Sequence, residues 1–304
     1  MESPHVPVLL NEVVDTFKDR SGVIVDCTIG YGGHSEALLR SNPNITIVGI
    51  DRDSEAIQFS LKRLEPFKNR VQIIKGRFSQ VIRDVLRRYP VKGVLADIGV
   101  SSLQLDKNDR GFSIHSDRLD MRMDKEASLS AEDVVNVYDI VELERILKEY
   151  GEIPNYKKIA RLIVQNRPIK SAKELANLVA KHLPKKGKIH PATTLFQAIR
   201  IEVNQELEEL RGLLQVLQNH KPSGARIAII TFHSLEDRIV KQTFKEWAKK
   251  CICPPEAMRC SCGANHALGK IVTKKPIVAS KEELRSNLRS RSAKMRVFDF
   301  KEEC

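Results

Sequence analysis

The chain has 304 residues, 41% of them hydrophobic, enough for two domains or one elaborated domain with a sizeable core. Its formal net charge is +12, from 51 Lys and Arg against 39 Asp and Glu, which favours a polyanionic partner because Lys and Arg neutralise phosphates. The opening MESPHVPVLL lacks the basic n-region and long apolar core of a signal peptide, and no run of about 18 apolar residues offers a helical membrane span, so a cytoplasmic setting is expected.

Residues 6–18 read as a short lead-in helix with Val8, Leu9, Val13 and Val14 on its apolar side. The next stretch, VIVDCTIGYGGHS at 23–35, begins as a β-branched run and ends in Gly30, Gly32 and Gly33. It predicts a buried strand entering a tight turn, with a helix to follow. Glycines let backbone approach a ligand closely, and the helix start offers unpaired N–H groups there. A second strand, Ile45–Ile50, ends in Asp51, nineteen residues past Gly32, a distance that suits a hydrogen bond to ribose hydroxyls. A helix is expected over Ser54–Leu64, then a third strand at Val71–Ile74 leading to Phe78, where an aromatic ring could stack on an adenine. Ser79–Tyr89 is amphipathic, and the fourth strand, Val91–Ala96, closes on Asp97. This alternation predicts an α/β fold with a parallel, Rossmann-like, doubly wound sheet.

The rhythm then breaks. Asp97-Ile-Gly-Val-Ser-Ser leaves the fourth strand, and a polar, irregular stretch runs from Gln104 to Lys125. From Ser130 the pattern is helical, with capping boxes at Ser130–Asp133 and Ser171–Glu174. One long helix is expected from about Thr194 to Asn219, its stripe being Phe196, Ile199, Val203, Leu207, Leu210, Leu214 and Leu217. Strand character returns at Arg226–Phe232, followed by a helix to about Lys250 and two short strands, Lys270–Thr273 and Met295–Phe300. Residues 106–205 therefore read as an inserted, mainly helical domain between the fourth and fifth strands, and 1–105 with 206–304 as one discontinuous domain.

Two nucleoside cofactors, NAD and S-adenosylmethionine, would place a ribose against Asp51. The loop Gly30-Tyr-Gly-Gly-His34 is a poor match to the G-x-G-x-x-G of dehydrogenases, and basic charge with a polar exit from the fourth strand favours a methyltransferase acting on nucleic acid. At this level the chain resembles the bacterial 16S ribosomal RNA (cytosine-N4)-methyltransferase family. The resemblance rests on His5-Val-Pro-Val-Leu-Leu-Asn-Glu, Asp26-Cys-Thr-Ile-Gly-Tyr-Gly-Gly-His-Ser, Gly49-Ile-Asp-Arg-Asp, Ala96-Asp-Ile-Gly-Val-Ser-Ser, Asp109-Arg-Gly-Phe-Ser, Leu119-Asp-Met-Arg-Met-Asp, Phe232-His-Ser-Leu-Glu-Asp-Arg and Asn287-Leu-Arg-Ser-Arg-Ser-Ala-Lys-Met-Arg. These segments span nearly the whole chain in order; 126–192 matches only loosely.

The resemblance implies a class I methyltransferase sheet and S-adenosylmethionine-dependent N4-methylation of a cytidine in the decoding region of 16S rRNA within the small ribosomal subunit. It implies cofactor contacts from Gly32, Gly33, His34, Asp51, Phe78, Asp97 and Gln104. Transfer to an exocyclic amine needs alignment and a proton acceptor but no cysteine nucleophile, so Cys27 is expected to be a small buried side chain. Asp97, Asp120, Asp124, His115 and His233 are the candidates to orient the amine, and none is singled out as the base. Amino-methyltransferases of DNA carry a proline-rich motif after the fourth strand that this chain lacks. A non-catalytic RNA-binding protein would not need the full set of pocket residues.

Three basic clusters are candidates to hold RNA: Arg285, Arg289, Arg291, Lys294 and Arg296; Arg118 and Arg122; and Lys185, Lys186 and Lys188. Of six cysteines, Cys251, Cys253, Cys260 and Cys262 fall together as two Cys-x-Cys pairs six residues apart. Four thiolates so close could surround a zinc ion, but the usual knuckle is Cys-x₂-Cys. The favoured expectation is reduced thiols in a surface loop, with no metal assigned.

Overall fold

The computed structural model describes residues 6–101, 104–105, 107–183, 190–254, 256–257 and 259–302. The basic cluster Lys185, Lys186 and Lys188 lies outside the described residues, as do His5, Ser102 and Cys304. The chain folds as two compact units, Met1–Gly99 with Glu208–Cys304, and Val100–Leu207. The boundaries expected at 105/106 and 205/206 thus lie at 99/100 and 207/208.

In the first unit the β-branched runs become β1 (Gly22–Asp26), β2 (Ile45–Asp51), β3 (Val71–Lys75), β4 (Val91–Asp97) and β5 (Arg226–Thr231), followed by β6 (Gly269–Ile271) and β7 (Lys294–Phe300). Among the described residues they form one seven-stranded sheet in the order β3-β2-β1-β4-β5-β7-β6. Strands β1 to β5 run parallel, and β7 lies antiparallel between β5 and β6. The winding reverses between β1 and β4, which opens a crevice at their carboxyl ends, where ligands of such sheets bind. Helices α1 (Leu10–Phe17), α2 (Gly33–Ser41), α3 (Ser54–Arg63) and α4 (Phe78–Arg88) precede or link the first four strands.

Both sheet faces are buried, so the strands read as continuous apolar runs while their residues alternate between two cores. Val25, Val48, Ile50, Val94, Ala96, Ile227, Ile229 and Phe298 point to one core, with Ile82 and Val85 of α4. Ile24, Ile45, Ile47, Leu95, Ala228, Ile230, Met295 and Val297 point to the other, with Val13 and Phe17 of α1 and Leu38 of α2. Register between β5 and β7 is pinned by a two-pronged ion pair: Arg226 Nε and Nη2 lie 2.8 and 2.9 Å from the carboxylate oxygens of Asp299, its direct cross-strand partner.

The second unit is helical: α5 (Ala131–Asn136), α6 (Ile140–Glu149), α7 (Tyr156–Gln165), α8 (Ala172–Ala180) and α9 (Thr193–Asn204). The Ser130 box caps α5, and the Ser171 hydroxyl accepts from the Glu174 amide at the start of α8. The long helix expected from Thr194 to Asn219 is instead two, α9 and α10 (Glu206–His220), broken at Gln205, whose backbone is left-handed at φ 52°. Its stripe divides with it. Phe196, Ile199 and Val203 belong to the helical unit's core, whereas Leu210, Leu214 and Leu217 cover the sheet. Helices α11 (Ser234–Trp247) and α12 (Lys281–Ser286) complete the first unit. Among the described residues no helix is long and apolar enough to cross a membrane.

Candidate cofactor and substrate sites

Three strands of the crevice end in acids, Asp26, Asp51 and Asp97. Asp26 is fully buried; it accepts the Ser35 hydroxyl at 2.7 Å and the Thr28 amide at 3.2 Å, which ties the turn after β1 to the start of α2. Asp51 accepts the Gly30 amide on Oδ2 at 2.8 Å and the Asp53 amide on Oδ1 at 2.9 Å. Burial pushes the Asp51 carboxyl above its ordinary range, with those amides opposing.

The glycines of the turn divide by what surrounds them. A Cβ at Gly33 would lie 2.4 Å from Pro7, and one at Gly32 would lie 3.2 Å from the Leu64 side chain. A Cβ at Gly30 would meet only the Thr28 carbonyl, at an ordinary contact distance of 3.7 Å, so the packing around this glycine is looser. Gly32 and Gly33 are therefore required by the packing of the protein itself, and Gly30 is where the backbone can be approached. Tyr31 turns inward and meets Phe59 edge-on at 4.9 Å.

His34, the second residue of α2, is buried, which lowers its pKa and keeps the ring neutral near pH 7. Its Nε2 lies 2.9 Å from the Val8 carbonyl, a contact that requires the proton on Nε2. Nδ1 is then an acceptor, and it faces Asp97 Oδ2 at 3.9 Å. Asp97 donates its backbone N–H to the Thr28 hydroxyl at 2.8 Å and accepts the Gly99 amide at 3.4 Å. Burial pushes its carboxyl up to about 7; the Gly99 amide opposes and the charge of Glu236 adds. Cys27 is buried beside them, and burial raises its thiol well above the ordinary value, so it stays protonated.

Phe78 opens α4 and is half-buried against the core formed by Ile82 and Val85. Gln104 is buried in the helical unit, where its Oε1 accepts the Ser101 amide at 3.1 Å and its own amide reaches the Ser101 hydroxyl at 3.2 Å. His233 is the N-cap of α11. Its Nε2 stands 2.9 Å from Glu236 Oε1, off the hydrogen-bond direction, while Glu236 Oε2 accepts the Phe232 and His233 amides at 2.8 and 3.2 Å. Glu236 and Thr28 were not singled out from sequence. The signal for Glu236 was an acid three residues into a helix, the spacing of a capping box.

In the helical unit, Arg122 grips Asp120 with Nε and Nη2 at 2.9 and 2.7 Å, and its Nη1 reaches the Ala127 carbonyl at 2.8 Å. Burial nudges the Asp120 carboxyl up, but the Arg122 hydrogen bonds outweigh it and hold it below the usual range. Arg110, almost fully buried, donates to the Arg122 and Met123 carbonyls at 3.1 and 2.9 Å. Asp109, Arg110, Arg118, Asp120, Arg122 and Lys125 line a cavity of about 270 Å³, four of the six being basic. His115 is exposed, and Asp124 accepts the Glu126 amide at 3.0 Å in a local turn.

The C-terminal basic cluster also divides. Arg285, Arg289 and Arg291 are exposed. Arg296 is buried and holds Asp237 of α11 at 2.6 and 3.1 Å, and Lys294 lies 3.9 Å from the same carboxylate. Arg296 and Arg122 are thus structural cations, which their position within basic runs did not reveal.

Residues 2–301 match the MraW methylase family. The chain belongs to that family. It is 70% identical over 302 residues to ribosomal RNA small subunit methyltransferase H of a Nitratiruptor species, covering 99% of this chain and 100% of the relative. The corresponding protein of Sulfurimonas denitrificans is 57% identical over 302 residues, covering 98% of each. This MraW-family chain is a methyltransferase, and its cofactor is S-adenosylmethionine.

The crevice fits that cofactor. S-adenosylmethionine carries a ribose diol, an ammonium and a sulfonium. Hydroxyls are matched by a buried carboxylate acceptor, and cations by a carboxyl whose ionised form burial has made costly. Asp51 and Asp97 are partly buried groups of this kind, they end strands on the same edge of the sheet, and the Gly30 turn lies between their strands.

Proposed function

We propose that this methylase transfers a methyl group from S-adenosylmethionine to N4 of a cytidine in the decoding region of 16S rRNA, within the small ribosomal subunit and in the cytoplasm. The observation that carries this reading is full-length identity of 70% and 57% to proteins named ribosomal RNA small subunit methyltransferase H. The net charge of +12 supports a polyanionic substrate.

Bound S-adenosylmethionine supplies an electrophilic methyl group on a cationic sulfur. The chain's part is to bind and to orient. Asp51 accepts the ribose hydroxyls while its amide bonds keep the turn in shape. The turn that holds Gly30 and Gly32 and the start of α2, Gly33 and His34, border the cofactor's chain, the glycines through their backbone alone, and Phe78 borders its base. Asp97 faces the cationic end, and a cation there draws its carboxyl into the ionised form. Gln104, its side-chain carbonyl ordered by the Ser101 amide, is a further cofactor contact. N4 of a paired cytosine is engaged in pairing, so the target base is unpaired or extruded. The helical unit 100–207 recognises the RNA, with Arg118 and Lys125 lining its cavity, and Arg285, Arg289 and Arg291 hold phosphates on the first unit.

The test is methyl transfer from labelled cofactor to isolated small ribosomal subunits, naked 16S rRNA and duplex DNA, with mass-spectrometric mapping of the product. N4-methylcytidine in the decoding region of the subunit is expected. Methylation at another atom or another region, or a preference for DNA, overturns the proposal.

A further inference from the structure

Cys251, Cys253, Cys260 and Cys262 play no part in methyl transfer, yet the fold gathers them. They sit between α11 and β6, where none of the described residues forms helix or strand. Cys251 Sγ lies 3.5 Å from Cys260 Sγ and 3.6 Å from Cys262 Sγ, and Cys260 and Cys262 are 3.6 Å apart. All four sulfurs lie within 4.8 Å of one another. In non-helical backbone a one-residue spacing turns both thiols of a pair to the same side, so each Cys-x-Cys acts as a two-pronged clamp. That is why a spacing tighter than the usual knuckle still yields a closed cluster.

The distances select among the chemistries open to four thiols. A disulfide needs sulfurs about 2.05 Å apart. The observed separations are far longer, and all four thiols are free. A tetrahedron of sulfurs at a Zn–S distance of about 2.3 Å has edges of about 3.8 Å, close to the separations found here. The backbone is arranged for sulfur that carries negative charge. The Ile252 amide donates to Cys262 Sγ at 3.4 Å, and the Ser261 amide donates to Cys253 Sγ at 3.3 Å. The middle residue of each pair thus donates to the last cysteine of the other, a reciprocal arrangement. Lys249, Lys250 and Arg259 flank the pairs in sequence, and Lys249 is paired with Glu246 at 2.6 Å. The loop is fastened at its stem, where His266 N–H donates to the Lys250 carbonyl at 3.0 Å and Leu268 N–H to the Trp247 carbonyl at 2.7 Å.

The geometry points to a structural zinc site formed by Cys251, Cys253, Cys260 and Cys262. Four protein ligands leave no open position, so the ion fixes the loop and takes no part in chemistry. Binding displaces the thiol protons to solvent, so affinity falls in acid. Zinc, the alternative that the sequence left open, is proposed in place of the reduced-thiol loop favoured from spacing.

Full-length protein purified without added metal, then dialysed against a weak chelator, is expected to hold about one zinc per chain by elemental analysis. The Cys260→Ser/Cys262→Ser variant should hold at least about tenfold less, and Cys27→Ala, which changes a thiol outside the cluster, should hold as much as wild type. A second measurement does not depend on any variant folding. Wild-type protein stripped and refilled with Co²⁺ should show the thiolate-to-cobalt charge-transfer and intense d–d bands of a tetrahedral site. Metal removal should increase hydrogen exchange in 251–265 and leave exchange around Asp51 and Asp97 unchanged. Wild-type protein that takes up neither zinc nor cobalt, that holds iron instead, or whose zinc survives in the double variant overturns the site.

Discussion

Asp51 Oδ2 accepts the Gly30 amide at 2.8 Å, so the acid that ends β2 also sets the shape of the glycine turn that follows β1. A residue read as a ribose partner is therefore part of the scaffold as well. Asp51→Ala removes both functions. Leaving buried donors unpaired costs about 1–3 kcal/mol, so both cofactor affinity and melting temperature should fall. Asp51→Asn keeps an acceptor for one amide and should recover more stability than affinity. Calorimetric titration beside thermal melting checks this; unchanged cofactor affinity in folded Asp51→Ala would sink the ribose assignment.

The carboxyl of Asp97, pushed up to about 7, links cofactor binding to pH. Below that value the free enzyme carries a proton that a bound cation expels. Affinity for S-adenosylmethionine should rise by up to about tenfold per pH unit on approaching 7 from below and level off above. Calorimetry in buffers of different ionisation enthalpy should detect proton release at pH 6 and little at pH 8. In Asp97→Asn both the release and the pH slope should vanish.

The same shift has a consequence for stability. The folded pKa lies above the ordinary carboxyl value of 3.8, so the unfolded chain ionises first and folding loses stability as pH rises from there through 7. Asp97→Asn should therefore be more stable than wild type at pH 8, by up to about 4 kcal/mol, and match it near pH 3.5. Denaturant titrations at both values check the sign; an advantage that shrinks with rising pH would refute it.

Gly33→Ala separates packing from ligand contact. The added methyl would stand 2.4 Å from Pro7 on the protein side of the turn. Overpacking of this kind costs about 1–3 kcal/mol, and the loss should appear in melting of the cofactor-free protein. A variant that melts normally but binds cofactor poorly would instead make Gly33 a ligand-facing residue.

The basic cluster near the C-terminus should respond in two ways. Arg289→Ala and Arg291→Ala should weaken RNA binding, each flattening the salt dependence by about one unit of slope, with cofactor binding unchanged. Arg296→Ala should unfold the protein more readily, since it strands the Asp237 carboxylate; breaking a buried pair costs about 3–5 kcal/mol. Filter binding over a salt series and denaturant titration distinguish the two classes. Equal behaviour of all three variants contradicts the division.

The strands were legible because apolar runs stop at acids and glycines, and both signals are local. The break at Gln205 was not, because the apolar stripe from Phe196 to Leu217 keeps its helical period across it. Glutamine is an ordinary helix former, and only the tertiary fold assigns the two halves of that stripe to different cores. Charged residues were legible as charges and not as pairs: nothing in the sequence shows that Arg122 is held by Asp120. How closely the four thiols approach was not legible from spacing, for a related reason. Spacing describes one strand of chain, whereas the cluster depends on how two strands face each other.

The antiparallel strand β7 has a further implication for how the protein is made. It lies inside the sheet, hydrogen-bonded to β5 on one side and to β6 on the other, although it is the last of the seven in the chain. Until residues 294–300 leave the ribosome, β5 presents a bare edge and β6 has no neighbour at all. Phe298 and Phe300, which pack on Trp247, are absent from the core during that interval. A nascent chain of this protein therefore carries an open, adhesive sheet edge from the emergence of β5 until that of β7, and closure waits on the latter.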